Sequence, residues 1–139
     1  MLQSTVMPLE ARVLVADDDP DLLEVVADCL ARLGADVICA STGAELIDQL
    51  AEHGPFDLVV TDIAMPWMTG LQAIHAARLA GLSTSVIVMT ALRDSLIRSR
   101  VKALGKNTAL LEKPFDLEAL ESIVVKLLPQ RSEPKPNVA

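Results

Sequence analysis

Five short apolar runs recur along the chain: RVLVA at 12–16, DVICA at 36–40, DLVVTD at 57–62, SVIVMT at 85–90 and ALLEK at 109–113. Their central positions do not alternate polar with apolar, which is how strands read when both faces of a parallel sheet are covered. Between the runs the spacing turns helical. Leu22, Val26, Cys29 and Leu33 share a stripe in the first such segment, Ile97, Val101 and Leu104 in the fourth, and Leu120, Ile123, Val124 and Leu127 in the fifth. Gly34 and Gly105 follow the last apolar residue of a helix, as left-handed caps do, while Asp94 and Asp116 stand where N-caps belong. Strand and helix thus alternate five times. Right-handed crossovers then place helices on both faces of the sheet, so the pattern predicts a doubly wound α/β domain with five parallel strands.

Length and charge narrow this picture. At 139 residues one domain is expected. It is placed over 12–128, after an N-terminal extension at 1–11 and before a flexible tail or linker at 129–139 that carries three prolines. A hydrophobic share of 51% against 22% charged residues supplies a core. The net charge of −7 argues against direct nucleic-acid binding, which draws on Lys and Arg, and favours cations or basic partners. Cys29 and Cys39 form no C-x-x-C pair and each lies in an apolar pattern, so both are expected to be reduced core residues of a cytoplasmic protein. The opening residues do not read as a signal peptide, and no run approaches about 18 apolar residues, so no membrane span is expected. His53 and His75 have no partner at ligand spacing and read as surface or packing residues.

In open α/β sheets, ligands bind beyond the carboxyl ends of the strands. Here the first run ends in Asp17, Asp18 and Asp19, the third in Asp62, the fourth in Thr90 and the fifth in Glu112, Lys113 and Pro114. Two carboxylates about 4 Å apart repel by roughly 4 kcal/mol at an effective dielectric near 20, so the acids of VLVADDDPD need a cation. Hard oxygen donors without Cys or His in the pattern favour Mg²⁺ or Mn²⁺ over zinc. Asp17 and Asp18 would hold that ion. Lys113 offers a fixed positive charge, Thr90 a hydroxyl donor, Ala91 a side chain small enough for close backbone approach, and Asp62 a carboxylate nucleophile for a phosphoryl group. Each residue alone has a plainer reading: acids as caps of the first helix, Thr90 as a β-branched strand residue, Lys113 as a solvated charge. Asp19 is expected to be a cap and nothing more. The joint placement at one edge favours the chemistry.

Four stretches in this order, VLVADDDPD, LVVTDIAMPWMTG, VIVMTA and EKPF, resemble the receiver domains of two-component response regulators, over about residues 12–128. The resemblance implies a flavodoxin-like (βα)5 fold with strand order 2-1-3-4-5. It implies Mg²⁺ at Asp17, Asp18 and Asp62, with the backbone carbonyl of Ala64 completing the metal shell. Asp62 would accept phosphate from a histidine kinase or histidine phosphotransfer protein, with Thr90 and Lys113 on the phosphoryl group and a cis Lys113–Pro114 bond. The implied readout is a downstream effector or output domain, docked on the face of the fourth helix, fifth strand and fifth helix. Homodimer formation is left open.

Some positions depart from the family pattern. Leu110 stands three residues before Lys113, where an aromatic switch residue is usual, and it lacks a flat ring and a hydroxyl. Ala64 and Leu92, two residues after Asp62 and Thr90, cannot orient an attacking water, so slow self-hydrolysis is expected. Trp67, after Pro66, is expected near the site. Arg93, Arg98, Arg100, Lys102 and Lys106 read first as a solvated face, with a docking face for an acidic partner as the alternative. Two other functions fit parts of the set. A haloacid-dehalogenase-like phosphatase would use Asp17 as nucleophile but leaves Asp62 and MPWMTG unexplained. A phosphorylation-independent interaction module fits Leu110 and Ala64 but not the intact set of Asp17, Asp18, Asp62, Thr90 and Lys113.

Overall fold

A computed structural model describes residues 10–63, 84–92, 95–105 and 107–128. In chain order its elements are β1 (Arg12–Ala16), α1 (Pro20–Arg32), β2 (Asp36–Ala40), α2 (Gly43–His53), β3 (Leu58–Asp62), β4 (Ser85–Thr90), α3 (Ser95–Lys102), β5 (Thr108–Glu112) and α4 (Leu117–Leu127). The strands are all parallel and lie in the order β2-β1-β3-β4-β5, as the family resemblance implies. The helix expected between β3 and β4 falls within 64–83, outside the described residues, as do Asp94 and the two ends of the chain.

Successive strand residues point to opposite faces, and here both faces are covered. Val13, Val15, Leu58, Val60, Ile87, Met89 and Leu111 pack on one side with Val26, Cys29 and Leu30 of α1 and Leu120 and Val124 of α4. Leu14, Ala16, Ala40, Val59, Val86 and Val88 face the other way, against Leu46 of α2 and Val101 of α3. All five residues of β3 are buried, so Leu58, Val59 and Val60 read as apolar without alternation before the polar Thr61 and Asp62. Caps set the helix starts: Asp19 before α1 with Pro20 in the first turn, Thr42 before α2 and Asp116 before α4. Gly34 and Gly105 take positive φ, 100° and 115°, just past α1 and α3.

Three details differ from the sequence reading. Asp57 precedes β3 because its carboxylate turns to accept the Arg12 N–H at 2.8 Å. β5 starts and ends one residue early, at Thr108 and Glu112, and Lys113 leaves the ladder for the site. Cys39 is exposed, a correction to the core position expected of it; β2 is an edge strand, and an apolar pattern alone does not separate edge from centre. Both thiols are free, and Cys29 is buried as expected.

The amino-terminal edge of the sheet is tied by Arg12. Its guanidinium lies 5.1 Å from the centre of the Phe56 ring, 3.6 Å from Asp36, and donates to the His53 carbonyl at 2.5 Å. The Gly54–Pro55 and Lys113–Pro114 bonds are cis. Among the described residues no helix is long and apolar enough to cross a membrane.

Candidate functional site

Because the strands run in parallel, the residues that end them share one edge, opposite Arg12. Asp17 follows β1 and is 1% exposed; Asp62 closes β3 and is 8% exposed. Asp18 remains exposed beside them. One oxygen from each of the three carboxylates lies within 4.8 Å of the other two. Two are therefore buried like charges, an arrangement that survives only with close partners.

Backbone and lysine supply those partners. Asp17 Oδ1 accepts the Asp19 N–H at 2.9 Å, and the Asp17 N–H donates to the Ala40 carbonyl at 3.1 Å. Asp62 Oδ1 accepts the Ile63 N–H at 2.9 Å. Lys113 Nζ donates to Asp17 Oδ2 at 3.0 Å and to Asp62 Oδ1 at 3.3 Å. Part of the relief expected from a metal ion thus comes from a side chain of the protein itself. Burial first, then the Asp17 charge, pushes the Asp62 pKa up, and Lys113 and the Ile63 N–H offset this only in part. For Lys113, burial pulls the pKa down, but its hydrogen bonds and charge pairing with Asp17 and Asp62 outweigh that and leave it raised. The lysine is held charged, while Asp62 is a reluctant anion.

Thr90 ends β4, fully buried. Its Oγ1 accepts the Leu92 N–H at 2.9 Å and its carbonyl accepts the Lys113 N–H at 2.7 Å. Accepting from Leu92 occupies a lone pair and leaves the hydroxyl proton to be donated. The structure thus brings Asp17, Asp18, Asp62 and Lys113 together and sets Thr90 on the adjacent strand end. Ala91 is exposed next to it. Ala64, Trp67, His75, Arg93 and Lys106 lie outside the described residues.

Two features escaped the sequence reading. Asp19 does cap α1, but its backbone N–H also pins Asp17, a role that no side-chain pattern encodes. Arg98, read as solvated, pairs with Glu112 at 3.0 Å. An arginine three residues into a helix carries no sequence signal for a partner on a later strand.

The donor set is hard, anionic oxygen, which fits a small divalent cation such as Mg²⁺ or Mn²⁺ and does not fit a thiophilic metal. Among the described residues, Asp62 Oδ1 takes two donors and Oδ2 takes none, so Oδ2 keeps its lone pairs for attack. Asp17 has both oxygens engaged, by the Asp19 N–H and by Lys113, and is the poorer nucleophile.

The family model of the response regulator receiver domain matches residues 13–125. Among curated proteins, the DNA-binding transcriptional regulator NtrC of Azospirillum brasilense is 37% identical over 125 residues, 89% of this chain and 25% of that protein. The transcriptional regulatory protein KdpE of Mycobacterium tuberculosis is 37% identical over 107 residues, 76% of this chain and 46% of that protein. The chain therefore spans about a quarter to a half of the length of these relatives. Among solved structures, the chemotaxis response regulator CheY4 of Vibrio cholerae superposes with a TM-score of 0.77 at 28% identity, over 86% of this chain and 99% of that one.

Proposed function

This chain belongs to the response regulator receiver domain family, and from that premise we propose that Asp62 is its phosphoryl acceptor. Asp62 Oδ2 attacks the phosphorus of a phosphohistidine on a histidine kinase or histidine phosphotransfer protein. The histidine N–P bond breaks, its electron pair stays on the imidazole, and an acyl phosphate forms on Asp62. Asp17, Asp18 and Asp62, with the Ala64 carbonyl, would hold Mg²⁺ or Mn²⁺. A bound ion supplies positive charge against the phosphoryl oxygens. Lys113 turns its ammonium from the carboxylates to the transferred group, and Thr90 donates its hydroxyl proton to a phosphoryl oxygen. Ala91 keeps that approach open.

The observation that carries this reading is the contact of Lys113 with the buried carboxylates of both Asp17 and Asp62 at the carboxyl edge. The engagement of both Asp17 oxygens weighs against a phosphatase that uses Asp17 as nucleophile. The domain is assigned to 12–128, with the extension at 1–11 and the tail or linker at 129–139 outside it, and its setting to the cytoplasm. Its signal would pass through the face of α3, β5 and α4 to an effector or output domain, or to a second copy of the chain. Acetyl phosphate with Mg²⁺ should add one phosphoryl group to the wild type and none to Asp62→Asn. No uptake by the wild type, or an acyl phosphate mapped to Asp17, overturns the assignment.

A further inference from the structure

The helix α3 is lightly seated. Val101 is buried, while Leu96 is 53% exposed. Between α3 and β5 runs an open groove of about 510 Å³, lined by Arg98, Val101, Lys102, Gly105, Thr108 and Leu110. From one wall of it, Arg98 Nη2 reaches Glu112 Oε2 at the end of β5, at 3.0 Å. Glu112 is no ordinary anchor. In the sheet register it lies opposite Thr90, and the next residue, Lys113, donates its N–H to the Thr90 carbonyl at 2.7 Å. Thr90 Oγ1 in turn accepts the N–H of Leu92, in the segment that leads into α3. Both routes from the phosphoryl site to α3 therefore start at Thr90 and Lys113.

We propose that the Arg98–Glu112 ion pair is a latch that seats α3 on β5 while Asp62 carries no phosphoryl group, and that phosphorylation releases it. The inference rests on Asp62 as the acceptor. On Asp62 the phosphoryl group carries about −1.5 to −2 charges where the carboxylate carried −1, and it projects that charge beyond the carboxylate. Lys113 is drawn off Asp17 toward it, moving the residue joined to Glu112. Thr90 rotates to donate its proton, and Oγ1 lets go of the Leu92 N–H. Leu110, half-buried on the groove wall, has space to repack as α3 shifts. In this chain an ion pair and a repacking leucine do what an aromatic ring does elsewhere. The pair is partly exposed, so its bias is modest, on the order of two- to fivefold in population.

Amide hydrogen exchange of residues 95–102 tests this on the full chain. Without Mg²⁺ or phosphodonor, Arg98→Gln and Glu112→Gln should each speed exchange in α3 about two- to fivefold. The exchanged pair, Arg98→Glu with Glu112→Arg, should return it to the wild-type rate. Adding Mg²⁺ and beryllofluoride, a stable phosphoryl mimic, should speed α3 in the wild type and add less in the two neutral variants. Unchanged α3 exchange in both single variants overturns the latch, as does an equal beryllofluoride effect in wild type and variants. If beryllofluoride alters nothing in the wild type, including residues 90–92, the acceptor reading and the release step fall together. The single variants then still decide whether the pair seats α3.

Discussion

Lys113 and Asp17 are 96 positions apart in sequence and 3.0 Å apart in space, joining the end of the last strand to the end of the first. The contact ties β5 to β1 across a sheet in which those strands do not touch. Removing one partner of such a buried pair leaves the other charge stranded. Lys113→Ala should therefore lower unfolding stability by about 2–4 kcal/mol in the absence of metal, measured by urea denaturation. Mg²⁺ should recover more stability in this variant than in the wild type, since the ion no longer competes with an ammonium. Equal Mg²⁺ effects in both would refute that competition.

Asp62 has the opposite character. Its folded-state pKa lies above the ordinary 3.8, so the folded chain binds this proton more readily than the unfolded chain does. Ionising Asp62 thus costs stability, starting near pH 3.8 and reaching its full extent above the raised value. Asp62→Asn should raise Tm by roughly 2–6 °C at neutral pH in chelator, and the gain should vanish below about pH 3.8. For Lys113 the sign reverses: its stabilisation is complete below 10.5 and is lost as pH climbs through its higher folded value. A neutral-pH scan in which Asp62→Asn melts below the wild type would sink this account.

Metal binding should show as mass action. At 100 times its dissociation constant, a cation bound only by the folded chain adds about 2.7 kcal/mol. A calorimetric melt with Mg²⁺ should show that shift in the wild type, with most of it gone in Asp17→Asn. Asp18→Asn should lose less, because that side chain is exposed and more easily replaced by water.

The phosphoryl group should be slow to leave. The Leu92 side chain is 53% exposed and has no group to orient water. We expect Asp62 to hold its phosphoryl group for minutes or longer in the purified protein. Leu92→Asn, which adds an amide at the pocket's edge, should shorten that lifetime several-fold. Loss within seconds from the wild type would show that another group positions the water.

Most of the sheet was legible because central parallel strands, covered on both faces, carry apolar residues without alternation; β1 and β4 fall at their expected bounds, and so does the half-covered edge strand β2, whose run is apolar all the same. Asp17, Asp18, Asp62 and Lys113 were legible as a set because topology puts strand ends together. What they do to one another was not. The lysine bridge depends on side-chain directions across three strands, and the pinning N–H groups of Asp19 and Ile63 belong to backbone that every residue carries. Cys39 misled for the same reason in reverse, since hydropathy reports what a residue prefers and not whether a helix lies over it.

The Arg12 cluster binds Asp36, Phe56 and the His53 carbonyl at the edge away from the acids. A single change at Arg12 would therefore loosen the footing of three segments without altering any reacting atom, so the sheet can be weakened from its far pole while every acid and the lysine stay in place.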